Sequence, residues 1–168
     1  MLNEELQNSI NNIMNEAQTL GYEYLTIEHL LLALIDDKHI TDYLNEQKID
    51  VNALYNELCA YMDDNTTLFP DDKDQKEAET LPTVSFQRIF ERALIQNKLI
   101  NKSEITGEDI LLSILCESKC YAFHLLKKHG VDKEHLKEHL GSSDFDIVED
   151  SREWVHIPEV IEDPISHF

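Results

Sequence analysis

The stretch Thr26-Ile27-Glu28-His29-Leu30-Leu31-Leu32-Ala33-Leu34 has a second copy in Thr106-Gly107-Glu108-Asp109-Ile110-Leu111-Leu112-Ser113-Ile114, 80 positions downstream. The threonine, the glutamate two places later and the apolar run occupy the same positions in both. A further match, of Ile49-Asp50 with Val131-Asp132, is offset by 82 positions. Such an internal repeat predicts two similar helical units, each of which buries its apolar face against the other.

Working outward from these stretches, apolar residues at three- and four-residue steps predict four helices in the first unit. A first helix over residues 2–19 is ended by Gly21. Thr26 is a good N-cap for a second, central helix through Ile35. A short helix over 40–47 follows, and Asp50 caps the fourth.

The second unit repeats this plan, with a first helix that starts near Thr83 or Ser85. Its other markers are the cap Thr106, a third helix Tyr121–Lys128, the break at Gly130, the cap Asp132 and an end at Gly141. The prediction is an all-α, pseudo-twofold bundle of eight helices in one domain, residues 1–142. It consists of repeat one (1–62), an acidic linker (63–80) and repeat two (81–142), followed by an acidic, extended tail (143–168).

Charge and composition narrow the function classes. The chain has 168 residues and a formal net charge of −20, which argues against binding to nucleic acid or to anionic membranes. The charge serves either solubility or the steering of a basic partner. No apolar stretch is long enough to span a bilayer, and Met1-Leu2-Asn3-Glu4-Glu5 lacks the pattern of a secretion signal. The three cysteines lack the spacing of a disulfide framework, which favours reduced thiols in a cytoplasmic protein.

The sequence lacks the common local motifs of nucleotide-binding proteins and hydrolases. There is no phosphate-binding G-x-x-x-x-G-K-[ST], no G-x-G-x-x-G and no G-x-S-x-G, so we expect a binding domain rather than an enzyme. Cys116, Cys120 and His124 share a four-residue spacing, but the expected turn at 117–119 breaks the stripe, and we expect no metal site.

Three further histidines also have ordinary explanations. His135 and His139 lie four residues apart and are expected to form a solvated polar face. His29 lies inside an apolar run, where a hydrogen-bonded or partly buried histidine is commoner than a catalytic one.

The segment Tyr24–Leu34 resembles the Clp N-terminal repeat. The opening Met1-Leu2-Asn3-x-Glu5-Leu6, the run Pro82-Thr83-x-Ser85-Phe86-Gln87-Arg88 and the segment Leu125–His129 narrow the resemblance to the ClpA type. The resemblance covers residues 1 to about 142. It implies the N-terminal domain of an AAA+ unfoldase, whose ATPase modules, with their ATP and Mg²⁺, are absent from this chain.

In that family the domain docks a ClpS-type adaptor and engages protein substrates, and ClpP acts through the absent ATPase modules. The resemblance implies no cofactor in this chain and a monomeric isolated domain. It implies a partner-binding surface around the second helix and the junction between the repeats, which consists of Glu23, Tyr24, Glu28, Pro82, Thr83 and Arg88. Tyr22 stands where the family has a histidine associated with metal, which makes zinc less expected. A two-residue insertion is assigned to the 63–80 linker.

Three alternatives remain open on the sequence. The chain could be a stand-alone Clp accessory protein that acts through its acidic tail. It could be a small helical enzyme, with a deep pocket and perturbed titratable groups between the two halves. It could also bind exposed apolar peptide segments directly, in a groove between the repeats. The alternative to a partner-binding role for Glu28 is a structural one, in which an acid in the first turn stabilises its own helix.

Overall fold

Helices dominate the computed structural model, which describes residues 2–65, 68 and 79–140. In chain order the elements are α1 (Glu4–Leu20), β1 (Tyr24–Leu25), α2 (Ile27–Ile35), α3 (Lys38–Glu46), α4 (Val51–Asn65), β2 (Leu81–Pro82), α5 (Val84–Leu99), α6 (Gly107–Ile114), α7 (Tyr121–Lys128) and α8 (Lys133–His139). The described residues therefore contain eight helices, four in each repeat. This confirms the all-α prediction, with one short parallel strand pair added.

Local signals in the sequence account for most of the helix ends. Thr26 begins α2 with a capping box, in which its Oγ accepts from the His29 amide and His29 Nδ1 accepts from the Thr26 amide at 3.0 Å. Thr106 begins α6 in the same way, with Asp109 in place of the histidine. Gly21 ends α1 with a φ of +79°, a conformation that glycine adopts without strain.

Several predicted boundaries need correction. The third helix begins at Lys38 rather than residue 40, because the Asp37 carboxylate accepts from the His39 amide at 2.9 Å and caps it. Helix α1 begins at Glu4, after its cap Asn3. Helix α4 runs to Asn65, three residues into the predicted linker. The predicted end at Gly141, most of the linker and the tail 143–168 lie outside the described residues.

The two-residue insertion lies in repeat two, not in the linker. Helices α2 and α3 are joined through Asp36 and Asp37, whereas the corresponding α6–α7 connection spans residues 115–120. An insertion in the linker would shift both sequence matches equally, so only this position explains offsets of 80 and then 82. The longer connection introduces Glu117, whose side chain is buried.

The two repeats exchange extended segments. Pro82, which precedes Thr83, the N-cap of α5, pairs in parallel with Leu25 of repeat one, and the Thr83 amide donates to the Leu25 carbonyl at 3.0 Å. Eighty positions earlier, Leu2 forms a parallel bridge with Ile105 of repeat two, and the Asn3 amide donates to the Ile105 carbonyl at 2.8 Å. Each repeat thus supplies one extended residue to the other, which ties the two halves into one pseudo-twofold unit.

The hydrophobic core is shared between the repeats. Helix α2 is central, as predicted, and contacts helices of its own repeat as well as α5, α6 and α7. Leu30, Leu31 and Leu34 are fully buried, as are Ile110 and Leu111 of the matching helix α6. Because most of its side chains are buried, the apolar run of α2 is stabilised by burial rather than by helix propensity alone.

Candidate partner-binding surface

The pairing of β1 with β2 gathers four of the six predicted site residues in one place. Tyr24 lies opposite Leu81, Leu25 lies opposite Pro82, and the Leu81 amide donates to the Glu23 carbonyl at 3.1 Å. Tyr24 and Leu81 are among the exposed large apolar side chains, at 42% and 38%. We refer to Glu23, Tyr24, Leu81, Pro82 and Thr83 as the strand surface. It joins the two repeats and presents an aromatic ring and an aliphatic side chain to solvent.

Thr83 sits at the end of the strand surface as the N-cap of α5. Its hydroxyl accepts from the Phe86 amide at 3.1 Å, which satisfies one of the free amides of the first turn. The hydroxyl hydrogen is not used in that bond, so Thr83 can still donate to a partner.

Glu28 contacts both its own helix and the other repeat, because its carboxylate also accepts a hydrogen bond from its own backbone amide in the first turn of α2. Its Oε2 accepts from the Ala122 amide in the first turn of α7 at 3.2 Å. That helix has Cys120 as its N-cap, whose sulfur is a weak acceptor for the Phe123 amide at 3.3 Å. Burial raises the pKa of the Glu28 carboxyl, and the hydrogen bond from Ala122 opposes part of that rise. Glu28 therefore keeps the role expected for an acid in the first turn of its own helix, and it also supplements the weak cap of α7 across the interface.

Arg88 is drawn away from the strand surface by an acid within the chain. Its guanidinium lies 3.4 Å from Glu117 Oε2, and Arg92 donates to Glu117 Oε1 at 2.6 Å. Arg92 is fully buried and also donates to the Ser113 carbonyl at 3.1 Å. An approaching acid would have to compete with Glu117 for Arg88. Arg92 and Glu117 were not predicted from the sequence, in which the longer α6–α7 connection is the signal that points to them.

His29 has one satisfied and one unsatisfied ring nitrogen. Since the Thr26 amide donates to Nδ1, the neutral ring carries its proton on Nε2. Nε2 is buried and has no hydrogen-bond partner, and the ring lies 5.2 Å from that of Tyr22. Burial lowers the pKa of His29 to about 4, so the ring is neutral at physiological pH. The sequence predicted the buried, hydrogen-bonded state but not the free donor.

A surface groove that the sequence did not predict lies in repeat one, between α1, α2 and α4. It consists of two adjoining cavities of about 240 and about 200 Å³, both lined by Ile13, Glu16, Leu32 and Tyr55. The smaller cavity also reaches His29. A third cavity, of about 280 Å³, lies in repeat two and is lined by residues of 115–134. Each of these cavities is lined by one repeat only, whereas the enzyme alternative predicted a pocket between the halves.

The cysteine and histidine stripe is broken as expected. Cys116 follows the end of α6, Cys120 caps α7 and His124 is exposed on that helix. Burial is the main cause that raises the pKa of the Cys120 thiol to about 12, so this thiol stays protonated and is a poor nucleophile or ligand. Within residues 2–65, 68 and 79–140, no group of three or more histidine, cysteine or acidic side chains is placed to hold a metal ion.

The histidine pair of α8 is exposed to solvent, as expected, but it also contacts Tyr43 of repeat one. His135 Nδ1 lies 3.1 Å from the Tyr43 hydroxyl, and the His139 ring packs 4.7 Å from the Tyr43 ring. These contacts join α8 of repeat two to α3 of repeat one, so the pair helps to hold the repeats together. No helix in the described parts of the chain is long and apolar enough to cross a membrane.

With this architecture established, comparison with known sequences identifies the family. The pattern of the Clp repeat (R) N-terminal domain matches residues 1–129. The chain belongs to this family. A curated relative described as a ClpA homolog protein, from Fuscovulum blasticum, is 29% identical over 128 residues, which is 76% of this chain but 16% of the relative. The chain thus spans less than a fifth of the length of that protein.

Solved structures agree on the fold of this Clp N-domain. The Hsp104 N-terminal domain from Candida albicans aligns with a TM-score of 0.66 at 15% identity, covering 88% of this chain and 95% of that one. A ClpV N-domain in complex with a VipB peptide aligns with a TM-score of 0.63 at 15% identity, covering 83% and 84%. At such identities the likeness shows the fold and does not carry over a partner.

Proposed function

We propose that this Clp N-domain is the adaptor- and substrate-docking domain of a ClpA-type unfoldase, and that its strand surface binds a ClpS-type adaptor. The adaptor would deliver protein substrates in the cytoplasm for ATP-dependent unfolding and degradation by ClpP. The observation that carries this proposal is the pairing of β1 with β2, which brings Glu23, Tyr24, Pro82 and Thr83 together at one exposed junction.

The chemistry of the strand surface suits a docking site that is largely preformed. Backbone hydrogen bonds hold both strands, so little conformational entropy is lost when a partner binds. Tyr24 offers the half-exposed aromatic anchor that is typical of binding hot spots. Glu23 and the Thr83 hydroxyl lie beside it for polar contacts. Glu28 and Arg88 would act indirectly, because Glu28 contacts α7 and Arg88 contacts Glu117, unless a partner displaces those internal contacts.

Calorimetric titration of the chain with a ClpS-type adaptor tests the proposal. We expect one-to-one binding that survives deletion of residues 143–168 and weakens as salt rises. Tyr24→Ala should weaken it about tenfold or more, as for a hot-spot aromatic. Tyr55→Ala is the matched control, because Tyr55 is equally exposed, at 46% against 42%, but lies in the repeat-one groove.

The outcomes separate the alternatives. Equal affinity of the Tyr24→Ala and unaltered chains would remove the strand surface as the docking site. Loss of binding on deletion of 143–168 would favour an accessory protein that acts through its tail. Absence of adaptor binding altogether would leave the family assignment in place and refute the adaptor role.

A further inference from the structure

The groove between α1, α2 and α4, which we call the repeat-one groove, is independent of the strand surface. It shares no residue with Glu23, Tyr24, Glu28, Pro82, Thr83 or Arg88. Its two cavities adjoin along Ile13, Glu16, Leu32 and Tyr55, and together they extend over one face of repeat one.

The groove combines an apolar floor with exposed apolar edges. Ile13, Ala17 and Met62 line it as buried core residues, and Leu32 is partly buried. At the edges, Leu20 is 53% exposed and Tyr55 is 46% exposed. Apolar side chains that remain in contact with water gain free energy when an apolar group from a partner covers them.

The charges around the groove are of one sign. Glu16, Asp36 and Asp63 line the two cavities, and no lysine or arginine is among the lining residues that the structure describes. The chain's own 63–80 segment reaches the edge of the groove, where Leu68 forms an antiparallel bridge with Tyr22. Charge makes the chain's own segments poor occupants, because 63–80 has seven acids and two lysines, and 143–168 has eight acids and one arginine. A second copy, with net charge −20, is equally unsuitable. The charge therefore favours a cationic partner.

The buried donor of His29 is a second, independent sign of a ligand. His29 lines the smaller cavity, is only 1% exposed, and its Nε2–H has no hydrogen-bond acceptor. Buried donors are normally paired, so an unpaired one calls for an explanation. The corresponding position in repeat two, Asp109, is satisfied by Lys102 at 2.6 Å, whereas the position that matches Lys102 in repeat one is Tyr22. Among the described residues, His29 Nε2–H of repeat one is thus left without an acceptor, while the matching Asp109 of repeat two is paired.

We propose that the repeat-one groove docks a cationic amphipathic peptide segment. Its apolar side chains lie on the floor beside Leu32 and Met62, and its lysines or arginines face Glu16, Asp36 and Asp63. A carbonyl of the segment accepts from His29 Nε2–H, after the Tyr22 ring turns aside. This gives the domain a second docking site, selective for positively charged, partly apolar stretches of protein.

Fluorescence anisotropy with a defined probe tests this site. The probe is fluorescein-labelled Lys-Leu-Leu-Lys-Lys-Leu-Leu-Lys amide, and its control has glutamate in place of lysine. The double variant Glu16→Lys/Asp63→Lys should weaken binding of the lysine probe about tenfold or more. The matched variant Glu46→Lys/Glu138→Lys changes net charge equally at exposed positions outside the groove, and should change affinity less than about threefold.

Tyrosine variants and NMR locate the probe. Tyr55→Ala should weaken probe binding and Tyr24→Ala should not, the reverse of the pattern expected for the adaptor. In NMR spectra the His29 Nε2 resonance should shift on binding, while that of exposed His124 stays in place.

Equal weakening by both double variants would mean general charge attraction and would overturn the proposal. So would loss of binding by Tyr24→Ala alone, a probe that does not bind, or an unchanged His29 signal. None of these outcomes bears on adaptor binding at the strand surface.

Discussion

The central helices of the two repeats, α2 and α6, begin with the same capping box, but the residue that completes the box is a histidine in α2 and an aspartate in α6. In repeat two, Asp109 fills the box and its carboxylate is held by Lys102 at 2.6 Å. In repeat one, His29 fills the box and keeps a buried, unpaired Nε2–H beside a groove. In repeat two the side chain that completes the capping box is therefore satisfied by an internal ion pair. In repeat one the corresponding side chain, His29, keeps an N–H that is available to a ligand.

The inserted turn strengthens this contrast. It adds Glu117 to repeat two, where the carboxylate binds buried Arg92 and partly exposed Arg88. The matching position for Arg92 in repeat one is Asn12, which is exposed and lines the groove. Duplication thus produced one copy stabilised by buried charge and another that retains surface for binding.

The largest expected effect comes from breaking the buried pair of repeat two. Arg92→Met leaves the Glu117 carboxylate buried with only Arg88 nearby, and should lower the free energy of unfolding by about 3–5 kcal/mol. Asn12→Met, the matched change in repeat one, should alter it by less than about 0.5 kcal/mol because the site is exposed. Urea denaturation of both variants measures the difference. Similar values for the two would contradict the assignment of stabilising charge to repeat two.

The second effect is a dependence of the free energy of unfolding on pH, which arises from His29 in repeat one. Burial lowers the pKa of His29 from 6.5 to about 4, so the unfolded chain binds the proton more readily. The free energy of unfolding should therefore fall by up to roughly 3 kcal/mol as pH drops from 6.5 to 4. Glu28, whose pKa is raised, acts in the opposite direction, with stability lost as pH rises.

The matched variants for this test are His29→Asn, which keeps an acceptor for the Thr26 amide, and His124→Asn at an exposed site. The fall in stability between pH 6.5 and 4 should shrink in the first and persist in the second, as measured by urea denaturation at several pH values. A fall of equal size in His29→Asn would exclude His29 as its source.

The smallest of the three effects concerns the weak cap of α7. Glu28→Ala removes the acceptor for the Ala122 amide and should cost about 1–2 kcal/mol. Glu28→Gln keeps an oxygen acceptor and removes a buried charge, so its stability at neutral pH should stay within about 0.5 kcal/mol of the original. Glu108→Ala, the repeat-two counterpart, should cost less because Asp37 already caps α3. Thermal unfolding compares the three, and a Glu28→Gln loss as large as that of Glu28→Ala would rule out the capping role.

Much of the fold could be predicted because its signals are local. The caps Thr26, Thr83 and Thr106, the αL glycines Gly21 and Gly130, and the helix Tyr121–Lys128 all follow from residues within a turn or two of each other. Boundaries failed where a neighbouring side chain extended a helix, as Asp37 does for α3. The strand exchange was not predicted, because a single extended residue has no period of its own.

The candidate site was less predictable than the fold. Glu23, Tyr24, Pro82 and Thr83 were singled out by resemblance, and the β1–β2 pairing brings them together; their role in binding is still a prediction. Glu28 and Arg88 were placed on the same surface, yet Glu28 contacts the first turn of α7 and Arg88 contacts Glu117. The groove was missed, because Leu20, Tyr55 and Met62 looked like ordinary members of amphipathic helices.

By itself, the sequence determined the duplication, the helical period, the caps and the family, since each depends on residues that are close along the chain. Only the tertiary structure decided which polar groups are paired. Glu28 and Ala122 are 94 positions apart, and Arg92 and Glu117 are 25 apart. Whether His29 Nε2–H has an acceptor depends on what packs against it, and not on its neighbours in sequence. The two repeats share a local pattern, but they differ in which polar groups are buried and paired, because burial and pairing depend on contacts between residues that are distant in sequence.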